Sequence, residues 1–139
     1  MIYTADEKRT LDNILKAFAG YIREQDTFDI VYSEKIGYVG LQVHHPSDGV
    51  PEVLNTPETL LDALFSEIIT DVIFSPDNPQ QKHDDPALTE YERTESCRRI
   101  TAILETMGDE DKARYLDFLD TYIKEYPHNS ARLGEHDSR

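Results

Sequence analysis

Along residues 57–73 the apolar side chains Leu60, Leu61, Leu64, Phe65, Ile68, Ile69, Val72 and Ile73 recur at helical spacing. At about 100° per residue they cover an arc wider than half the helix. A helix this apolar has to be packed on more than one side, so it is the expected central element of the fold. Its start is well marked: Thr56 suits an N-cap and Pro57 the first helical position. Only Thr59, Ala63, Ser66 and Thr70 line the opposite stripe. The pairs Glu58–Asp62 and Glu67–Asp71 stand at i,i+4, where like charges repel slightly, and are expected as solvated flanks of that stripe.

The segments around this helix predict what it packs against. Thr4 and Glu7 have capping-box spacing, and Leu11, Ile14, Leu15, Phe18 and Ile22 then follow one helical face that fades near Asp26. Asp12 and Lys16 stand as an i,i+4 ion pair on the outer side. Residues 28–43 read as a β-hairpin turning at Glu34–Lys35. That register pairs Tyr32 with Gly37, Ile30 with Val39 and Phe28 with Leu41, and collects Phe28, Ile30, Tyr32, Val39, Leu41 and Val43 on one face. The other face then shows an apolar trio, Val31, Ile36 and Tyr38, that a purely solvated face does not need. Residues 50–54 suit a short third strand, confined to an edge by Pro51.

Beyond the central helix, Pro76, Pro79 and Pro86 mark a surface linker. A third helix is expected from Asp85–Pro86 or from Thr89, whose spacing to Glu92 again suits a capping box. Its apolar side is Tyr91, Cys97, Ile100, Ile103, Leu104 and Met107, with Gly108 just past its end and Asp109 capping the next helix. The last helix buries Tyr115, Leu116, Leu119, Tyr122, Ile123 and Tyr126, and stops at Pro127. The short link predicts an antiparallel helical hairpin. The expectation is therefore an α+β fold in the order α-β-β-(β)-α-α-α: a two- or three-stranded antiparallel meander packed on the first two helices and completed by the helical hairpin. Residues 1–127 are expected to form one domain and 128–139 a disordered tail; 139 residues leave no room for a second domain with its own core.

Charge narrows the partners. With 28 acids against 14 Lys plus Arg the chain carries a formal −14. Residues 36–81 contain no Lys or Arg, yet hold Asp48, Glu52, Glu58, Asp62, Glu67, Asp71 and Asp77. Affinity for nucleic acid rests on Lys and Arg displacing counter-ions from phosphates, and no basic cluster exceeds Arg98–Arg99. Neither nucleic acid nor anionic membrane is an expected partner. Cys97 is the only cysteine, which excludes an internal disulfide and suits a reducing compartment such as the cytoplasm. Residues 1–8 are charged and lack an apolar core, so no signal peptide is expected.

The order helix–strand–strand–(strand)–helix resembles that of double-stranded-RNA-binding domains. That family grips phosphates through basic helix ends; here the corresponding helix begins with Pro57 and Glu58 and has no base. The resemblance implies element order, and charge argues against the activity.

Chemistry-bearing groupings are sparse. His44, His45 and Asp48 supply imidazole and carboxylate, the ligand types of first-row metals, and His83, Asp84 and Asp85 form a similar loose cluster. Neither has metal-site spacing, and adjacent histidines on a strand point to opposite faces. Cys97 lies on the face of Ile100 and Leu104 and reads as a small core residue. No P-loop, G-x-G-x-x-G or G-x-S-x-G is present. These observations predict a small acidic non-catalytic protein without metal or cofactor, monomeric or weakly dimeric, working through a protein partner, with a basic one favoured by its charge. The expected interaction surface is Val31, Ile36, Tyr38, Asp62, Glu67 and Asp71. The alternatives are an acidic mimic of nucleic acid that blocks a basic protein, and an enzyme using the metal-binding types in the His44–Asp48 loop.

Overall fold

Local start signals place the helices. In the computed structural model, which describes residues 3–26, 28–42, 51–80 and 86–126, helix α1 (Ala5–Arg23) opens on a complete capping box. Thr4 accepts from the Glu7 N–H at 3.1 Å and Glu7 accepts from the Thr4 N–H at 2.7 Å. Strands β1 (Phe28–Ser33), β2 (Gly37–Gln42) and β3 (Glu52–Val53) form an antiparallel sheet in that order. Helix α2 (Pro57–Ile73) starts at Pro57, with Thr56 Oγ1 accepting from the Thr59 N–H at 3.1 Å. Helix α3 (Glu90–Leu104) opens on the Thr89–Glu92 capping box, and α4 (Asp109–Lys124) follows a short connection. The α+β fold with a three-stranded meander and C-terminal helices is the one the sequence predicts.

The contacts divide the chain into two units, Met1–Ala63 and Leu64–Arg139. The boundary between them falls inside α2. In the first unit, α1 packs on the sheet, burying Leu11, Ile14 and Phe18 together with Phe28, Tyr38 and Leu54, while Val39 is buried on the other face. In the second, α3 and α4 pack against each other. Phe65 meets Phe118 and Tyr122 with ring centroids 5.9 and 5.5 Å apart, the first pair tilted and the second edge-on, within the separations at which aromatic rings attract. The polar partner of this core is Glu92, fully buried. Its carboxylate accepts from the Thr89 N–H at 2.9 Å and from Asn78 Nδ2 at 2.7 Å, while Asn78 Nδ2 also reaches the Ile73 carbonyl at 2.8 Å. A buried carboxylate needs such donors.

The hairpin differs from expectation by one residue. Ser33 pairs with Gly37, Tyr32 with Tyr38, Val31 with Val39, Ile30 with Gly40, Asp29 with Leu41 and Phe28 with Gln42. The loop is three residues long, 34–36, and Gly37 after it has φ +105°, a backbone open to glycine and a common exit from such loops. Ser33 Oγ accepts from the Lys35 and Ile36 N–H groups, and Asn55 clips the turn from outside: Oδ1 accepts from Tyr38 N–H at 3.0 Å and Nδ2 donates to the Ile36 carbonyl at 2.9 Å. One residue of slip exchanges the faces of β2 relative to β1. Phe28, Ile30 and Tyr32 now share a face with Tyr38 and Gly40, toward α1, whereas Val39 and Leu41 join Val31 on the opposite face.

Smaller corrections have local causes. Asp12 pairs with Lys8 at 3.0 Å, not with Lys16, because Tyr38 holds its carboxylate on the sheet side. Gly108 is the N-cap of α4, at φ −63°, and Asp109 is the first helical residue; α3 has already ended at Leu104 with Glu105 as C-cap. Within α2 the expected outer stripe is interrupted, since Ala63 is buried along with the run 60–65. Leu116 and Tyr126 are half-buried, as is Cys97, a free thiol. Val43, the residues His44, His45, Asp48, His83, Asp84 and Asp85 of the two expected clusters, and the segment 128–139 lie outside the described residues.

Candidate functional site

Two arrangements in the first unit bring side chains together. The first is polar and lies between α1 and the inner face of the sheet. Lys8 and Asp12, one turn apart on α1, meet Tyr38 from β2: Tyr38 Oη donates to Asp12 Oδ1, and Lys8 Nζ sits 3.0 Å from Asp12 Oδ2 and 3.3 Å from Tyr38 Oη. The Lys8 ammonium also stands 4.8 Å from the centroid of the Tyr32 ring and 5.7 Å from that of Tyr38, within reach of cation–π attraction. Tyr3 stacks on Tyr38 at 6.3 Å.

The electrostatics of this cluster fix its protonation state. Hydrogen bonds to Asp12 and then to Tyr38 raise the Lys8 pKa above its ordinary value. Burial works to raise that of Asp12, but the bonds from Tyr38 and Lys8 outweigh it and hold the carboxyl below its usual range. Burial, then the Asp12 carboxylate, raises the Tyr38 phenol against the opposing pull of Lys8. Burial, with the neighbouring Tyr32 hydroxyl, pushes the Tyr3 phenol up to about 12. Every shift leads away from neutrality. General acid–base catalysts work best with pKa values near the working pH. At pH 7 this cluster is a fixed ammonium, carboxylate and phenol, suited to holding α1 on the sheet. Sequence reading missed it because it sent Tyr38 to the other face and paired Asp12 with Lys16; the Lys8–Asp12 spacing was the available signal.

The second arrangement is apolar. The β1–β2 and β2–β3 registers set Val31, Val39 and Val53 side by side across the sheet. They project to the face opposite Tyr38, since neighbours across a ladder share a side. Val39 in the middle is buried, while Val31 and Val53 are 40% and 50% exposed. Ile36 in the turn is 49% exposed.

Of the residues expected on an interaction surface, Val31 and Ile36 are exposed as anticipated. Tyr38, at 4%, is withdrawn by the register, which turns it onto α1. Asp62, at 5%, is withdrawn because α2 is buried around its whole circumference there, and Glu67 and Asp71 are half-buried. The structure places Val31 and Val53, which the sequence reading did not single out, on either side of Val39, and leaves none of the acids Asp62, Glu67 and Asp71 fully exposed. Glu58 is exposed. Among the described residues no three His, Cys, Asp or Glu side chains are grouped to hold a metal ion. No helix among them is long and apolar enough to cross a membrane.

A groove of about 580 Å³ runs along β1, lined on α1 by Leu15, Ala19, Ile22 and Arg23, on the connection by Gln25 and Asp26, and on the strand by Phe28, Asp29 and Ile30. No protein family, curated protein or solved structure matches this chain.

Proposed function

We propose that this chain is a small acidic docking module without catalysis, working in a reducing compartment such as the cytoplasm, whose contact surface is the valine row of the sheet. The observation that carries the reading is the pair of half-exposed valines, Val31 and Val53, flanking Val39 on the face turned away from α1. Apolar side chains exposed in a row on one sheet face can seat a partner's apolar groups. An apolar centre with a charged surround is the common anatomy of protein interfaces. The formal charge of −14 favours a partner with a basic rim and steers its approach. The cluster of Lys8, Asp12 and Tyr38, the closest approach to a reactive constellation among the described residues, offers no group that titrates near neutrality. The mimicry of nucleic acid is the weaker reading, because Asp62 is buried and Glu67 and Asp71 are half-buried, so α2 does not present them as an open array.

The test is the double variant Val31→Asp, Val53→Asp. Both side chains are half-exposed, so far-UV circular dichroism is expected to stay that of the wild type. A partner recovered from native lysate by the wild type at low salt should be lost by the variant and weakened by added salt. Equal recovery by the two proteins removes the valine row as the contact surface.

A further inference from the structure

We infer that the outer edge of β1, together with the groove beside it, is a second docking site, one that accepts an extended basic peptide segment as an added strand with a large apolar side chain in the groove. The proposal rests on the reading of this chain as a docking module but uses a different surface from the valine row.

The phase of the sheet identifies which backbone groups face outward. Tyr38 turns its backbone toward β3, since its N–H goes to Asn55 and its carbonyl accepts from the Leu54 N–H at 2.9 Å. Its partner on β1 is Tyr32. In an antiparallel ladder, bonded and non-bonded pairs alternate. The pairs of Tyr32, Ile30 and Phe28 are thus the non-bonded ones, and their N–H and C=O groups point away from β2. Ile30 agrees: its N–H donates to the side chain of Asp29, at 2.8 Å, not to β2. With the order β1-β2-β3, β1 is an outer strand of the described sheet. Its edge is guarded at one position by a carboxylate, a device that discourages indiscriminate pairing.

The groove lies on this edge. Its walls come from α1, β1 and the residues between them, with none from β2 or β3. They include the consecutive Phe28, Asp29 and Ile30, whose side chains alternate between faces, so the strand's own edge forms one wall. Leu15, Ala19 and Ile22 recur on one stripe of α1 and make the floor apolar, and Ala19 leaves the space. Peptides that add to a sheet edge gain affinity from main-chain bonds and specificity from a pocket that takes alternate side chains. Here both are side by side. Charge selects the occupant: the mouth carries Asp26 and Asp29 against Arg23, with Glu24 exposed beside them. That balance, like the net charge of the chain, disfavours a second copy and favours lysine or arginine on the incoming segment. As the strand arrives, Asp29 releases the Ile30 N–H to it and faces the incoming cations.

The test uses a fluorescein-labelled synthetic peptide of alternating lysine and valine with one central phenylalanine, titrated with the full chain and read by fluorescence anisotropy. Amide hydrogen exchange of the chain reports the site. Saturable binding is expected, with slowed exchange at Ile30 and Tyr32. It should weaken roughly tenfold in Ala19→Phe, which fills the groove, and several-fold in Asp26→Lys, whose side chain is exposed and so spares the fold. Replacing alternate valines of the peptide by proline removes its N–H donors and should abolish binding. The proposal is overturned if the proline peptide binds as well, if Asp26→Lys leaves the affinity unchanged, or if protection appears at Val39 and Val53 instead. That last outcome would leave the valine-row reading standing. Sedimentation showing a dimer held through β1 would overturn the choice of occupant. Binding lost in Val31→Asp, Val53→Asp but kept in Ala19→Phe would likewise assign the peptide to the valine row and not to the groove.

Discussion

Gly37 shows how one position fixes a register. A Cβ there would lie 2.3 Å from Asn55 Oδ1, on a backbone at φ +105°. Gly37→Ala therefore combines backbone strain with a displaced clip, and should cost about 1–3 kcal/mol in a urea titration; a loss within error would mean that the turn is looser than described. Glu95 supplies a pH signature. It accepts from Arg98 at 2.9 and 2.5 Å and from Arg99 at 2.8 Å, and these bonds, Arg98 foremost, hold its pKa down from 4.5 to about 2. A carboxyl depressed by folding contributes stability that is fully present above its unfolded pKa and drains as pH falls through the folded one. The urea midpoint should fall between about pH 4.5 and about pH 2, and Glu95→Gln should remove part of that slope. The pairing of Asp12 illustrates why such detail escapes sequence reading. Lys8 and Lys16 are equally spaced from it, and the choice is made by Tyr38, far along the chain.

The helices were legible because their signals are local. The threonine caps at Thr4, Thr56 and Thr89 and the apolar stripes of Leu11, Ile14 and Phe18 or of Tyr115, Leu119 and Tyr122 lie within one or two turns of what they specify. The hairpin was legible as a hairpin but not in its register. Choosing the pairing that gathers the most apolar residues on one face assumes that the other face is solvated. Here both faces carry apolar groups, and Gly37, a turn signal, outweighs the hydrophobic match. The expected interaction surface inherited that error, since it counted on an exposed Tyr38 that the register turns onto α1. Polar burial was also invisible, since Glu92 reads as an exposed capping residue until Asn78 is seen beside it. Asn78→Ala strips a donor from that carboxylate and from the Ile73 carbonyl. It should lower stability by roughly 1–3 kcal/mol in denaturant titration, and an effect near zero would mean that another donor replaces it.

A chain of formal charge −14 repels itself at low ionic strength. Added salt should therefore raise its melting temperature, by screening that repulsion more than it weakens exposed pairs such as Arg9–Asp6 and Lys124–Asp120. A melting temperature that falls with salt would mean that the ion pairs dominate. Half of that charge, the seven acids of residues 36–81 with no Lys or Arg among them, was readable from the start, but its surface expression was not, because burial removes Asp62 and half-hides Glu67 and Asp71. The two-unit division has a further use. Since the boundary between Ala63 and Leu64 lies within α2, new termini introduced there would sever a helical hydrogen-bond ladder. A circular permutant opened at that point should fail to fold, whereas one opened within 75–80 keeps every helix whole. Anyone who wishes to divide this protein into complementing fragments, or to insert a reporter, will have to cut it where its architecture does not.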